Sequence, residues 1–329
     1  LSGIEAVSAT QFDDSLLGDS LDNLLDGLAG HDTMDGGAGN DSFRGILGDD
    51  SIIGGAGFDW WGDIDGIGGI AGAVTIDLAS GTTSGSHGFD TLIGIEAAIT
   101  GGSSDSLLGD AAANILNGWT GNNTLSGGAG NDTLIGNTGA DSFAGGEGDD
   151  SILGGAGVDW ASYGAASGAV TVDLGGFLQL ATGADGNDTL SSIENVQGGN
   201  FADSILGDSL ANSLDGGLGD DTLAGGYGND TLIGGLGNDS LIGGLDTNDW
   251  ASYADATGAI TVNLVAGTVG GAAGNDTLIG IEGIVGSAFG DDLQGNGNDT
   301  ISFAGVTDTL LGVTVDLGAG TSSGGGGQD

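Results

Sequence analysis

Carboxylates recur every nine residues along much of this chain. A first row runs Asp14, Asn23, Asp32, Asp41, Asp50, Asp59, and a second Asp105, Asn114, Asn123, Asp132, Asp141, Asp150, Asp159. A third runs Asp203, Asn212, Asp221, Asp230, Asp239, then slips by one residue to Asp249. The surroundings repeat too. Residues 216–242 read GGLGDDTLA, GGYGNDTLI, GGLGNDSLI: Gly at positions one, two and four, Asp at six, Ser or Thr at seven, a large aliphatic at eight. A carboxylate held in a glycine-rich turn beside backbone carbonyls is a donor set for a hard cation. The larger, irregular coordination such a turn permits favours calcium over magnesium. The candidate ligands for multiple calcium ions are Asp14, Asp32, Asp41, Asp50, Asp59, Asp105, Asp132, Asp141, Asp150, Asp159, Asp203, Asp221, Asp230, Asp239 and Asp249. The repeats carrying Asp41, Asp132, Asp150, Asp221, Asp230 and Asp239 are the purest.

Positioning those carboxylates requires a repetitive all-β fold, and strict nonapeptide self-similarity marks a parallel β-roll, or β-solenoid. Six residues turn, with glycines supplying positive φ, and three form a short strand whose middle residue points inward. The inward row is apolar throughout: Leu16, Leu25, Met34, Phe43, Ile52, Trp61, then Leu107, Leu116, Leu125, Leu134, Phe143, Ile152, Ala161. Two nonapeptides make one coil, so each Asp lies over the one two repeats on, about 4.8 Å away. Bare carboxylates at that distance repel by roughly 1 kcal/mol in water and about 3–4 kcal/mol at an effective dielectric of 20. Divalent cations between the turns would convert that repulsion into cohesion.

A longer period overlies the short one. The expected layout is the end of a spacer at 1–12, β-roll 1 at 13–61, spacer 1 at 62–104, β-roll 2 at 105–161 and spacer 2 at 162–202. β-roll 3 follows at 203–249, spacer 3 at 250–290, a short roll 4 at 291–299 with Asp291 and Asp299, and a truncated spacer at 300–329. The spacers carry related segments (GAVTIDL, GAVTVDL, GAITVNL; LIGIEAA, LSSIENV, LIGIEGI) with β-branched alternation and no helix-forming run. All are expected to be wider coils of one continuous solenoid, and the chain reads as a piece of a longer array.

The composition narrows the partners. Forty-seven acidic residues against a single Arg44 and no Lys give a net charge of −46, which excludes nucleic acid and argues against anionic membranes. No apolar run is long enough to insert into a bilayer. So many glycines and acids usually mean disorder, but the mean hydropathy of +0.13 and the apolar periodicity point to order conditional on a ligand. Without cysteine there are no disulfides, so extracellular stability rests on metal and the strand ladder.

Other residues carry competing readings. Asn23, Asn114 and Asn212, each in a GDxxxN segment, are either edge sites or, the preferred reading, turn-capping side chains without metal. Trp60, Trp160 and Trp250 cap the end of the apolar core or, with Tyr163 and Tyr253 nearby, present aromatics to sugar. Glu5, Glu96, Glu194 and Glu282 read as outward strand positions rather than extra ligands. His31, at a freely variable fifth position, and His87 are isolated and expected to face solvent. The nucleophile-elbow match at 320–324 lacks strand–turn–helix context, and nothing else suggests an enzyme.

GGAGNDTLI, GGYGNDTLI and GGLGNDSLI resemble the GGxGxDxUx nonapeptides of RTX (repeats-in-toxin) proteins, and the spacers resemble linking segments of large RTX surface proteins. The resemblance covers essentially the whole chain. It implies a right-handed calcium β-roll, export through a type I secretion channel and folding in external calcium. The slips at Asp249 and Asp299 depart from the pattern and put their sites in question. The expected function is a calcium-binding structural solenoid of a secreted or cell-surface protein: an adhesin, surface-layer or matrix component. Its partners would be calcium, other copies of itself or cell-surface polysaccharide. The alternatives are the secretion and folding module of an exported protease, lipase or epimerase, and a carbohydrate-binding surface.

Overall fold

Each nonapeptide folds as its letters dictate, a turn followed by a strand with one residue inward. The computed structural model describes residues 4–44, 47–62, 72–245 and 248–295, plus the backbone of Thr300–Ser302, Thr314–Asp316 and Thr321–Gly324. The expected end of roll 4, Asp299 included, and most of 300–329 lie outside the described residues. The chain divides into two compact units, Leu1–Trp160 with Asp188–Ser192, and Ala161–Asn187 with Ile193–Asp329. Every described element in either unit is a β-strand, and most pairings are parallel.

In the first unit, Thr33–Ala38 lies between Ser15–Leu17 and Ser51–Ala56, aligning Leu16, Met34 and Ile52. The alternate strands form a second stack, Leu24–Asp26, Ser42–Arg44 and Trp60–Gly62, aligning Leu25, Phe43 and Trp61. The same pattern recurs from Ser106–Leu108 to Ser151–Ala156. Partners lie two nonapeptides apart, as expected. Met34, Phe43, Ile52 and Trp61 are completely buried, and burial of one such side chain contributes about 1.5–3 kcal/mol. With one inward residue per strand the core is a narrow column, so the turns must supply cohesion of their own.

The second unit repeats this arrangement through Ser204–Leu206, Thr222–Gly226 and Ser240–Gly244 in one stack, and Ser213–Asp215, Thr231–Ile233 and Trp250–Ser252 in the other. Despite the one-residue slip before Asp249, Thr231 pairs with Trp250, and Leu232 with the inward Ala251. Register along the strands is preserved.

The spacers hold what periodicity alone did not reveal, antiparallel hairpins. Three are Val74–Asp77 with Thr82–Gly85, Val170–Asp173 with Gln179–Gly183, and Ile260–Asn263 with Thr268–Gly271, and Thr314–Asp316 pairs in the same way with Thr321–Gly324. The first strand of each of the first three hairpins stacks in parallel on the strand that follows the spacer, aligning Ile76 with Leu107, Val172 with Ile205 and Val262 with Leu293.

Glycines have two distinct reasons to be where they are. Gly37 and Gly39, at positions two and four, have φ of 93° and 116°, which other residues reach only with strain. Gly36, at position one, is not left-handed, so its need for glycine is not conformational.

Candidate metal centre

The two oxygens of a turn aspartate have different surroundings. Oδ1 of Asp32 accepts the backbone N–H of Asp14, and Oδ1 of Asp50 that of Asp32, both at 2.8 Å. The same bond joins Asn23 to Asp41, Asp41 to Asp59, Asn114 to Asp132, Asp132 to Asp150 and Asp141 to Asp159, at 2.7–2.8 Å. In the second unit it joins Asp203 to Asp221, Asn212 to Asp230, Asp221 to Asp239 and Asp230 to Asp249, at 2.7–2.9 Å. Asp249 therefore keeps its place despite the slip. Asp105 accepts the N–H of Val74 from the spacer hairpin, at 2.9 Å.

Oδ2 faces into the turn. In Asp32, Asp41, Asp50, Asp59, Asp132, Asp150, Asp221 and Asp239 it is buried and accepts no hydrogen bond. A Cβ on Gly127 would run into both Oδ2 of Asp132 and the carbonyl oxygen of Gly145 one coil on. Gly136 stands in the same way against Asp141 and Gly154, and Gly216 against Asp221 and Gly234. Position one is glycine because two oxygens converge there.

Asn123 shows what those oxygens require. Its Oδ1 keeps the ladder, accepting the N–H of Asp105 at 2.9 Å. Its Nδ2 donates to the carbonyls of Gly118 at 3.0 Å and Gly121 at 3.2 Å, positions one and four of its own turn. With aspartate the donor is gone, and a carboxylate oxygen faces two carbonyls. Buried acceptors left without a donor cost about 1–3 kcal/mol each, more when charged. Desolvation accordingly raises the carboxyls of Asp50, Asp132 and Asp221 to about 6 and that of Asp239 to about 7. The ladder N–H partly offsets this, and neighbouring carboxylates reinforce it. Burial likewise raises Asp32, Asp41, Asp59, Asp105, Asp141 and Asp150.

Other turns are closed by hydrogen bonds. Oδ1 of Asn23, Asn114 and Asn212 accepts the N–H of Asp19, Asp110 and Asp208, at 2.7–2.8 Å, the geometry of a capped turn. The structure places Asp14 and Asp203 in the same role: Oδ2 accepts the N–H of Thr10 at 2.9 Å and of Gly199 at 2.6 Å. Both differ in this from the other candidate aspartates.

Several residues lie where the sequence did not put them. Glu96 and Glu282 turn inward: their Oε2 atoms accept the N–H of Asp59 at 2.8 Å and of Asp249 at 3.1 Å, where an aspartate would stand within a roll. Asp90, Asp188 and Asp276 extend the ladder into the spacers, accepting the N–H of Asp50, Asp150 and Asp239 at 3.0–3.1 Å. Their GxDTL context, a degenerate repeat, was the available signal. His87 is buried and edge-on to Trp61, with centroids 5.9 Å apart, and burial lowers its pKa, so it does not face solvent. His31 is exposed, but its position is not free. Side chains at position five form an outer ladder in which Asp13 accepts the N–H of His31 at 2.9 Å, and His31 Nδ1 that of Asp49 at 3.0 Å. Trp60, Trp160 and Trp250 occupy position seven, which points outward, and are half-buried on the sheet faces, not plugs over the core. Trp250 lies against Gly283, where a Cβ would strike its ring.

No three His, Asp or Glu side chains converge into a metal cluster among the described residues. A calcium site in these turns would draw one carboxylate per turn and take its remaining oxygens from backbone. A family model described as the RTX calcium-binding nonapeptide repeat (4 copies) matches residues 8–43, 44–60, 99–134, 126–161, 191–223 and 215–249, more than half of the chain. The chain belongs to this RTX family. RTX nonapeptides bind calcium and are typical of proteins exported by type I secretion. The matches cover all fifteen candidate aspartates and leave the middle of each spacer uncovered. No curated protein matches the chain. Among the described residues no helix is long and apolar enough to cross a membrane.

Proposed function

We propose that this RTX chain is a calcium-dependent structural module of an extracellular or cell-surface protein, folding when it meets external calcium. The ligands would be Asp32, Asp41, Asp50, Asp59, Asp105, Asp132, Asp141, Asp150, Asp159, Asp221, Asp230, Asp239 and Asp249, each with position-one and position-four carbonyls. Asp14 and Asp203 are assigned to the rim of their rolls, where one oxygen already accepts a turn N–H. The observation that carries this reading is the pair of alternatives at position six. Asn123 brings an amide donor to Gly118 and Gly121, whereas Asp132 brings a buried, unpartnered oxygen to the equivalent place. A cation is the group that satisfies the second arrangement.

Calcium binding then becomes folding free energy, because the site exists only in the coiled chain. At calcium a hundred times the dissociation constant, each ion contributes about 2.7 kcal/mol. In low calcium the polyanion would stay unfolded and exportable. Circular dichroism of the chain in EDTA, followed by calcium titration, tests this. Strand signal should vanish on chelation and return cooperatively with several ions bound. Strand content unchanged in EDTA with no calcium uptake would refute the reading.

A further inference from the structure

The turn closing the first roll has a carboxylate partner supplied by the spacer. Oδ2 of Asp59 is fully buried and accepts no hydrogen bond. A Cβ on Gly54 would meet that oxygen and the carbonyl oxygen of Gly94, the same pair of groups found at Gly127. Glu96 Oε2 accepts the N–H of Asp59 at 2.8 Å, the bond each roll aspartate makes to the coil before it. We infer that Glu96 and Asp59 close a calcium site at the junction of roll and spacer, and that Glu282 does so with Asp249 in the other unit. The inference rests on the calcium reading proposed above and extends it to residues the nonapeptide pattern does not contain. Glu96 and Glu282 both fall outside the stretches matching the family.

The use of glutamate follows from the length of the turn. Trp60 pairs with Ala97, which puts Glu96 at position six of its coil. Thr91 pairs with Ser51 at position seven, which puts Gly94 at position one. Three residues, Gly94, Ile95 and Glu96, thus replace the six of a repeat turn, and Ile95 is buried. A shorter loop carries its backbone less far, and the extra methylene of glutamate makes up the reach. Gly94, at φ 63°, directs its carbonyl toward Gly54. The second copy has the same parts: Gly280 at φ 62°, its carbonyl against Gly243, and Glu282 Oε2 accepting the N–H of Asp249 at 3.1 Å. Asp90 is a useful contrast. Its Oδ2 takes the Thr83 hydroxyl at 2.7 Å, so that end of the ladder is closed by a hydrogen bond instead.

Tryptophan directly follows Asp59, Asp159 and Asp249 and otherwise occurs at Trp61 and, within a roll turn, Trp119, so in a Trp119→Phe background indole-sensitised terbium emission reports on the junctions, because energy transfer falls steeply with distance. The test compares the full chain with Glu96→Gln/Glu282→Gln, which keeps a neutral acceptor for the ladder N–H. Terbium replaces calcium for emission, and calcium itself is titrated calorimetrically. Sensitised emission should fall by more than half, and calcium stoichiometry by one ion per substitution, with strand content in calcium retained. Unchanged emission and stoichiometry in the folded double variant would overturn the inference. If the double variant folds poorly, each single variant is read the same way. Asp132→Asn is the reference. If it loses an ion and the glutamine variants do not, this inference alone fails; if wild type binds no calcium, the underlying reading fails.

Discussion

Residues 109–114 and 127–132 are turns one coil apart in the same stack, yet they are finished by different means. In the first, Asn114 accepts the N–H of Asp110 at 2.7 Å, Asp110 accepts that of Ala112 at 2.8 Å, and Asn114 Nδ2 donates to the carbonyl of Glu96 at 3.2 Å. Its hydrogen bonds are all drawn from the chain. In the second, Gly128 and Gly130 have φ of 106° and 108°, and Oδ2 of Asp132 is buried without a partner. In the proposed reading that oxygen is satisfied by a cation from outside the chain. One backbone path thus admits a self-sufficient version and a conditional one, and the side chains at positions two and six decide which.

Chelation should separate the two most. As calcium is lowered towards the folding midpoint, amide exchange at 127–132 should become fast before that at 109–114, while in saturating calcium both turns are protected; exchange that rises together in both turns throughout would break the contrast. Converting one kind into the other comes next. Asp132→Asn should remove one ion and about 2–3 kcal/mol of stability at calcium a hundredfold above the dissociation constant, read by titration and melting. Asn123→Asp is the reverse experiment. It should gain an ion, and at limiting calcium it should destabilise the roll by about 1–3 kcal/mol and move the folding midpoint to higher calcium, because the Gly118 and Gly121 carbonyls lose their donor.

How much of this the sequence disclosed depends on where each group's partner sits. The ladder aspartates and the inward column from Leu16 to Trp61 were legible because both are periodic in the chain itself. The preferred capping reading of Asn23, Asn114 and Asn212 matches the observed turns, since a cap bonds within four residues. Glu96 and His87 were misplaced because their partners, Asp59 and Trp61, lie 37 and 26 residues away across a spacer of different period. His31 faces solvent as expected, and only the freedom of its position was misjudged: an outer ladder accepts several side-chain acceptors, so Asp, Asn and His at position five look like variation. The demand for glycine at position one came from a side-chain oxygen five residues on, which backbone rules do not cover.

A smaller effect follows from acidity. Asp132 and Asp239, raised from the usual 3.8 to about 6 and about 7, hold protons more tightly folded than unfolded. The calcium-free fold should therefore gain stability as pH falls from about 7 towards 4 and lose it as pH rises through those folded values. Calcium affinity should move the opposite way, weakening below about pH 6–7 as the ligands protonate. Strand signal in EDTA should therefore begin to return as pH falls towards 4, whereas the melting temperature in calcium should drop below about pH 6–7; changes of the same sign in both would contradict the assignment. The smallest change expected is His31→Ala, which deletes the acceptor of the Asp49 N–H and should cost about 0.5–1.5 kcal/mol with no ion lost. His31→Asn should restore it.

The central claim concerns what lies between the oxygens of the aspartate turns, and anomalous scattering from crystals grown in calcium observes it directly. The account predicts peaks beside Oδ2 of Asp41, Asp132, Asp150, Asp221 and Asp239, each within coordination distance of position-one carbonyls, and none in the 118–123 turn, where the Asn123 amide already fills that place. A map without peaks at the aspartate turns, or with equal density at Asn123, would contradict it.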